Sequence, residues 1–457
     1  ALLRLEASQG WREEEIAERW FGSCRQGLAV VQHDTRRRGG LLSRRCFVII
    51  RPLLEHIRED AQTMQRIAIT VGGLGADIRG FTGQHIQCAV DRAGFLGGGI
   101  VELTGGRFRM ADSLHLRTGV TVRGRGQKTV LIKNPMKQAR IITFLGYGHD
   151  DLVVDRPGVF EVGDGVIVGD DKFGGFYQTA GTLTARDGNT WFYNQAHAHD
   201  YMERDHAFVK TLFPLVNAVG IEDAAVENLV LDGNPRRNEL MNGCRGAGFY
   251  AYRSNRIRVR NVTVRDYNGE GFGFQTCDEV ELANCTAERC AGNGFHPGSG
   301  SNRFHIHDCL ARDCGACGLY YCLRVRDSVL ENSAFENNGS HGVSIGERDI
   351  RHVNRGLTIR GNGGAGVYLR DCSRQLAAHG NVIEGCRLEG NCRKDGEAEI
   401  VLQGETDDVR VTGNRIHRRN GKPGILVKPN MRPFEQHGNV VQPHGKDALV
   451  DLRKSKR

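Results

Sequence analysis

Proline is scarce in this chain, 10 of 457 residues, and so are methionine, with 6, and tryptophan, with 3. No apolar run approaches the length of about 18 residues that a membrane-spanning helix needs, so no membrane span is expected. The opening segment ALLRLEASQGWREEEIAERW carries charge where an export signal requires an apolar stretch, so no signal peptide is expected there. Neither sign of charge dominates: 62 basic and 54 acidic residues leave a net +8, which allows an anionic partner without demanding one. The basic clusters Arg36-Arg37-Arg38 and Arg453 to Arg457 have no aromatic residues interleaved, so nucleic acid is not an expected partner. Fourteen cysteines are too sparse for a small disulfide scaffold. The spacings Cys314-x-x-Cys317 and Cys386-x5-Cys392 lack the second pair that a zinc site requires. No metal or other cofactor is therefore expected, and nothing in the sequence indicates a Ca²⁺ site.

Glycine, by contrast, is abundant: 61 residues, nearly twice the usual share of roughly 7 %. Gly248, Gly271, Gly294, Gly318, Gly342 and Gly366 each precede an apolar residue, at intervals of 23, 23, 24, 24 and 24. Asn261, Asn284, Asp308 and Asn332 run in step, 23, 24 and 24 apart, and Gly424 continues the first series. Within the unit no ten-residue stretch has a 3.6-residue apolar period, while short alternating runs lie between Gly and Asn turns. The unit therefore reads as one coil, about 24 residues long, of an all-β parallel β-helix. Residues 98 to 445, less insertions, supply roughly eleven coils and a core some 50 Å long at about 4.8 Å per coil. Cys285 and Cys309, and likewise Cys290 and Cys314, occupy one position on neighbouring coils, which makes them stacked core side chains.

Residues 76 to 134 contain an Ile86-x-x-Ala89-Val90-Asp91 helix pattern, Gly97-Gly98-Gly99, an Ile-Val-Glu-Leu strand, Gly105-Gly106-Arg107-Phe108 and Gly119-Val120-Thr121-Val122-Arg123-Gly124. This order resembles the opening segment of the pectate-lyase-like right-handed β-helix superfamily, of carbohydrate-active, single-stranded proteins. The resemblance covers roughly 75 to 445. It implies a right-handed helix, an amino-terminal helix that caps the core, a polysaccharide or oligosaccharide partner, and an extracellular or periplasmic setting. Monomer and homotrimer both remain open. The expected organisation is a basic extension at 1–69, with twelve Arg, no Lys and an amphipathic helix around Pro52 to Arg66. It continues with a capping helix and first coils at 70–145, a lateral β insertion at 146–216, the main coils at 217–445 and a basic tail at 446–457. Within the insertion, VFEVGDGVIVGDD and GTLTARDGNTWFYN read as hairpins.

Alternation sends the first and third residues after each ladder glycine inward and the second and fourth outward. The outward set includes Tyr250, Tyr252, Gln275, His296, Tyr320, Tyr368, Arg370 and Gln403, a composition suited to stacking on sugar rings and bonding hydroxyls. An ordinary solvated sheet face is the plainer explanation. At His296-Pro297-Gly298 a proline in an inward strand position should end regular pairing early. His296 then stands outward beside Tyr320 on the next coil, and Arg324 follows on the loop that leaves that strand.

The leading expectation is an enzyme that abstracts the proton α to a uronate carboxylate, as a lyase or a C5-epimerase. His296 would act as base, Tyr320 as acid, and Arg324 or Arg370 would hold the carboxylate, while Tyr250, Tyr252, Gln275, Tyr368 and Gln403 bind flanking sugars. A glycoside hydrolase or fructosyl transferase would instead use carboxylates among Asp232, Glu270, Glu347, Asp371 and Glu405. A non-catalytic glycan-binding adhesin is the third class. Ser340-His341-Gly342-Val343-Ser344-Ile345-Gly346 resembles the histidine coil of polygalacturonases, but Ala316, Cys317 and Asn293 stand where that family carries its aspartates. His197/His199 and His305/His307 place two imidazoles on one strand face without a third ligand fixed by spacing.

Overall fold

Short alternating segments form the strands, and the residues between them turn the corners. The computed structural model describes residues 67–455 apart from 173, 174 and 420. Among the described residues there are one α-helix, Gly83–Phe95, and three sheets of 22, 11 and 6 strands. The two larger sheets are parallel and enclose one long apolar core, each coil adding one strand to the 11-stranded sheet. Register partners in that sheet run Phe249, Phe272, Phe295, Leu319, Val343 and Val367, each one residue beyond a ladder glycine. The fold is a right-handed parallel β-helix.

The ladder glycines are set by close approach. A Cβ at Gly271 would lie 2.5 Å from the carbonyl oxygen of Gly294, and one at Gly294 would lie 2.7 Å from that of Gly318. The Asn ladder has a different cause: Asn261, Asn284, Asp308 and Asn332 turn corners at φ of 54, 52, 54 and 48°, a region that short amide and carboxylate side chains tolerate. Inside, Phe272 and Phe295 stack with centroids 5.2 Å apart.

Backbone N–H groups at two inner corners would be buried without partners, and side chains of the following coil accept from them. Cys285 N–H donates to Cys309 Sγ (3.4 Å) and Cys309 N–H to Ser333 Oγ (3.1 Å). In the second file Cys314 N–H donates to Asn338 Oδ1 (3.1 Å), Asn338 N–H to Asn362 Oδ1 (3.0 Å) and Asn362 N–H to Asn391 Oδ1 (3.0 Å). Cys285, Cys290, Cys309 and Cys314 are all buried, and Cys309 adds an acceptor's role to that of a core residue.

Some boundaries differ from the sequence expectation. Strand Ile67–Gly72 pairs with Gly99–Leu103 and so begins before residue 70. The helix packs Ile86, Ala89, Val90 and Ala93 towards these first strands. The lateral sheet is antiparallel and runs from Gln138–Arg140 to Phe208–Lys210, because Val216–Val219 already pairs with Leu114–His115 as a coil strand. Thr179–Asp187 and Thr190–Tyr193 form the expected hairpin, whereas Gly165–Gly169 pairs with Thr179–Asp187 instead of folding on its own neighbours. Leu449–Asp451, within the stretch expected as a basic tail, is a further strand, and Val450 packs outside it with Val401 and Leu426. The helix expected around Pro52 to Arg66 lies outside the described residues.

The corner file generates a prediction. Asn362→Ala removes the acceptor of Asn338 N–H and the donor to Phe335 O, both buried, so unfolding measurements should show a loss of about 2–4 kcal/mol. A change below about 0.5 kcal/mol, typical of surface positions, would contradict the corner argument.

Candidate functional site

The outward residues of the 11-stranded sheet form two rows, and register extends them beyond the coils that the repeat reveals. Asn217 is the partner of Tyr250, and His115 is the partner of Asn217. The 24-residue period does not extend to His115 and Asn217, because the lateral sheet is inserted between them. Their signal is alternation alone, in Leu114-His115 and in Val216 to Val219.

The rows are not the open face that the sequence suggested. Tyr250, Gln275, His296 and Gln403 are buried, and Tyr252, Tyr320, Tyr368 and Arg370 are half-buried. Loops leaving the coils fold back over them. The Cys244 carbonyl accepts from the Tyr250 hydroxyl (3.2 Å) and the Gln275 amide (3.3 Å). Tyr368 lies flat on His341, ring centroids 4.1 Å apart, so one of its faces is occupied. In the last coils Val401 and Leu426 pack with Ala365 and Ala398.

The opening lies where the lateral sheet meets the first coils. A cavity of about 370 Å³ has His115, Asn217, Tyr250 and Tyr252 on its coil side, Thr179 to Thr182 on the lateral sheet, and Arg245 in its lining. His115 Nε2 meets Asp112 Oδ2 at 3.2 Å. Asp112 is anchored in turn by the Thr182 hydroxyl (2.6 Å) and by Ser113 N–H (2.7 Å). Among the described residues Asn217 Oδ1 is buried with no hydrogen-bond partner, an acceptor that a ligand hydroxyl would satisfy.

His296, Tyr320 and Arg370 do come together, two coils away. His296 Nδ1 meets Glu270 Oε2 at 2.5 Å, and the Tyr320 ring stands edge-on to the imidazole at 5.6 Å. The Arg370 guanidinium lies 4.5 Å over the Tyr320 ring and binds Ser344 Oγ, Asp349 Oδ2 and the Cys322 carbonyl. Burial alone would lower the His296 pKa, but the Glu270 carboxylate and the Cys322 thiol outweigh it and hold the ring at about 10. His296 is thus an imidazolium at neutral pH, unlike the neutral base expected for it. Burial pushes the Tyr320 phenol up to about 12 and the Asp349 carboxyl up to about 7. Arg324 stands at a corner with φ 61°, bonded to Ser299 Oγ.

The other candidate carboxylates are dispersed and engaged. Asp232 pairs with Arg265, Asp371 accepts from Asn430, Glu405 accepts from Arg374 N–H, and Glu347 lies 4.0 Å from Arg370 Nε. The paired histidines are engaged too. His197 is held between the Tyr193 hydroxyl and the Asp151 carbonyl, while His305 and His307 contact Glu331 and Asp308.

Residues 217–368 and 300–450 match the family described as right handed beta helix region, together just over half of the chain. The chain belongs to this right-handed β-helix family. No curated protein sequence matches the chain. Solved structures of similar shape include the A-module of mannuronan C-5 epimerase AlgE4 from Azotobacter vinelandii, 16 % identical over 80 % of this chain and 95 % of that one, TM-score 0.48. The exopolygalacturonase of Thermotoga maritima is 13 % identical over 85 % of this chain and 96 % of that one, TM-score 0.47. ORF18 of Geobacillus virus E2 is 12 % identical over 85 % of this chain and 63 % of that one, TM-score 0.51. These likenesses are of fold.

The His296 pair makes stability depend on pH. A histidine whose folded pKa of about 10 exceeds its ordinary 6.5 adds stability that is full below pH 6.5 and is lost as pH rises through 10. Melting temperatures across that window should fall in the unaltered chain, and Glu270→Gln should remove that part of the decline. An identical decline in Glu270→Gln would contradict the pairing.

Proposed function

We propose that the chain is a carbohydrate-active enzyme that takes an acidic polysaccharide into the cleft between the lateral sheet and the first coils. There it transfers the proton α to a uronate carboxylate, as a lyase or a C5-epimerase. The observation that carries this reading is that one cavity is lined by an imidazole, a guanidinium and phenols. Proton abstraction beside a carboxylate needs a base, a cation and a proton donor, and imidazole and phenol are common proton carriers in such steps. His115, oriented by Asp112, serves as the base. Arg245 neutralises the carboxylate as the enolate develops, and Tyr252 returns the proton. Asn217 takes a sugar hydroxyl, and Tyr250 supplies an apolar wall.

The chemistry therefore moves from His296 to His115. A charged imidazolium cannot accept a proton, so His296 is unsuited to the role of base. The hydrolase reading needs two carboxyl groups flanking one bond, and among the described residues that line the cavity only Asp112 carries one.

The reaction is followed by incorporation of solvent deuterium at C5 of oligouronides, which registers epimerisation, and by absorbance of unsaturated products, which registers elimination. His115→Ala should lower turnover about a hundredfold or more, the usual worth of a general base. Arg245→Ala should act on both turnover and apparent affinity. Undiminished turnover in His115→Ala, or new reducing ends with neither exchange at C5 nor unsaturated product, would overturn the assignment.

A further inference from the structure

The corner that Asn261, Asn284, Asp308 and Asn332 turn passes to glycine in the later coils. Gly356, Gly385, Gly413 and Gly438 continue it at φ of 62, 62, 64 and 66°. Backbone conformation does not require the change, since asparagine holds the same corner before. Crowding does not require it at two of these positions. A Cβ at Gly385 would meet nothing within 4 Å, and one at Gly413 would find Gly385 N as its nearest neighbour, at 3.9 Å. The missing side chains leave a trough of about 550 Å³ on the outer face of the 22-stranded sheet. Arg387, Arg415, His417 and Gln442 line it together with the two glycines.

The charges at this trough break the pattern of the coils before it. Arg289, Arg312, Arg355 and Arg360 each bind a carboxylate of the preceding coil, on Asp266, Glu288, Glu331 and Glu336 respectively. Arg415 instead has Arg387 as its register partner on the preceding coil. Two cations then stand about one strand spacing apart, roughly 4.8 Å, an arrangement that costs stability. Arg387 and Arg419 share Glu389. Among the described residues the Arg415 guanidinium has no ion pair or hydrogen bond. Arg418, next in sequence to His417, donates to the carbonyls of Lys422 and Pro443, and among the described residues it has no carboxylate partner.

We propose that this trough binds the carboxylates of an acidic oligosaccharide, as a second site on a different sheet from the cleft. That the ligand is a saccharide rests on the glycan reading above; that it is an anion rests on the two arginines. A carboxylate between Arg387 and Arg415 accepts from both guanidinium groups and removes their repulsion. The peptide backbone at Gly385 and Gly413 gives a flat floor on which a sugar ring can lie. His417 and its register partner Gln442 stand two residues further along their strands and bond ring hydroxyls. A polymer anchored here stays on the protein between turnovers in the cleft.

Calorimetric titration of the full chain with a galacturonate hexamer tests the site, in an Arg245→Ala background that weakens binding in the cleft. The hexamer should bind with an affinity that falls as salt rises. Its carboxyl-reduced, neutral counterpart should bind at least about tenfold more weakly. Gly385→Asn with Gly413→Asn restores the corner residue of the earlier coils and keeps every charge. By filling the trough it should lower affinity about tenfold or more, an effect of shape and not of net charge. Arg415→Gln should weaken binding to a similar extent without lowering the melting temperature, because it removes a like-charge contact. Equal binding of the neutral hexamer, unchanged affinity in the asparagine variant, or a lowered melting temperature in Arg415→Gln would overturn the proposal. A sulfated hexasaccharide that binds where the galacturonate hexamer does not would overturn the assignment to carboxylates. If the asparagine variant fails to fold, Arg415→Gln still decides. Turnover enters none of these readouts, so the reaction proposed for the cleft and the binding proposed for the trough fail separately.

Discussion

Each coil touches the next through a peptide carbonyl where a side chain would otherwise stand. A Cβ at Gly318 would come within 2.7 Å of the Gly342 carbonyl, and one at Gly342 within 2.6 Å of that of Gly366. This approach locks the register of the 11-stranded sheet, and everything else is inherited from it. A slip of one residue would turn Phe272, Phe295 and Leu319 outward and bring His296 and Tyr320 into the core. The core phenyl stack, the corner files and the two outward rows are consequences of a single alignment repeated coil by coil.

That alignment has a cost at the corners, where backbone N–H groups face inward away from water. The chain meets it with cysteine and serine in the middle coils and asparagine in the later ones. An amide can accept from one coil and donate to another, so the asparagine file bonds continuously from Asn338 to Asn391. Sulfur accepts more weakly but packs like a small apolar group. The corner cysteines are therefore neither redox scaffold nor simple filler.

Much of the fold was legible because the period is carried by glycine and asparagine, whose reasons are local: a close approach and a left-handed corner. The inward positions followed from alternation alone. The site was less legible, for two physical causes. An inserted sheet separates His115 from Asn217 in sequence while leaving them adjacent in register, so the period cannot report them. Burial is the second cause. Nothing in the text of GNGFHPG states that a loop carrying Cys244 will cover Gln275, or that Glu270 will reach His296 and hold it charged. The break at Pro297 was visible, and it does fall where strand pairing shortens.

The outer face thus carries two groups on one sheet, an open cleft beside the lateral strands and a largely buried polar cluster two coils on. Hydrogen–deuterium exchange with and without a saturating oligouronide distinguishes them most directly. The account predicts slowed exchange in Thr179 to Thr182, Val216–Val219 and Ala247–Tyr252, the segments that line the cleft. Slowed exchange confined to the coils beyond Leu319, or none at any saccharide concentration, would contradict it.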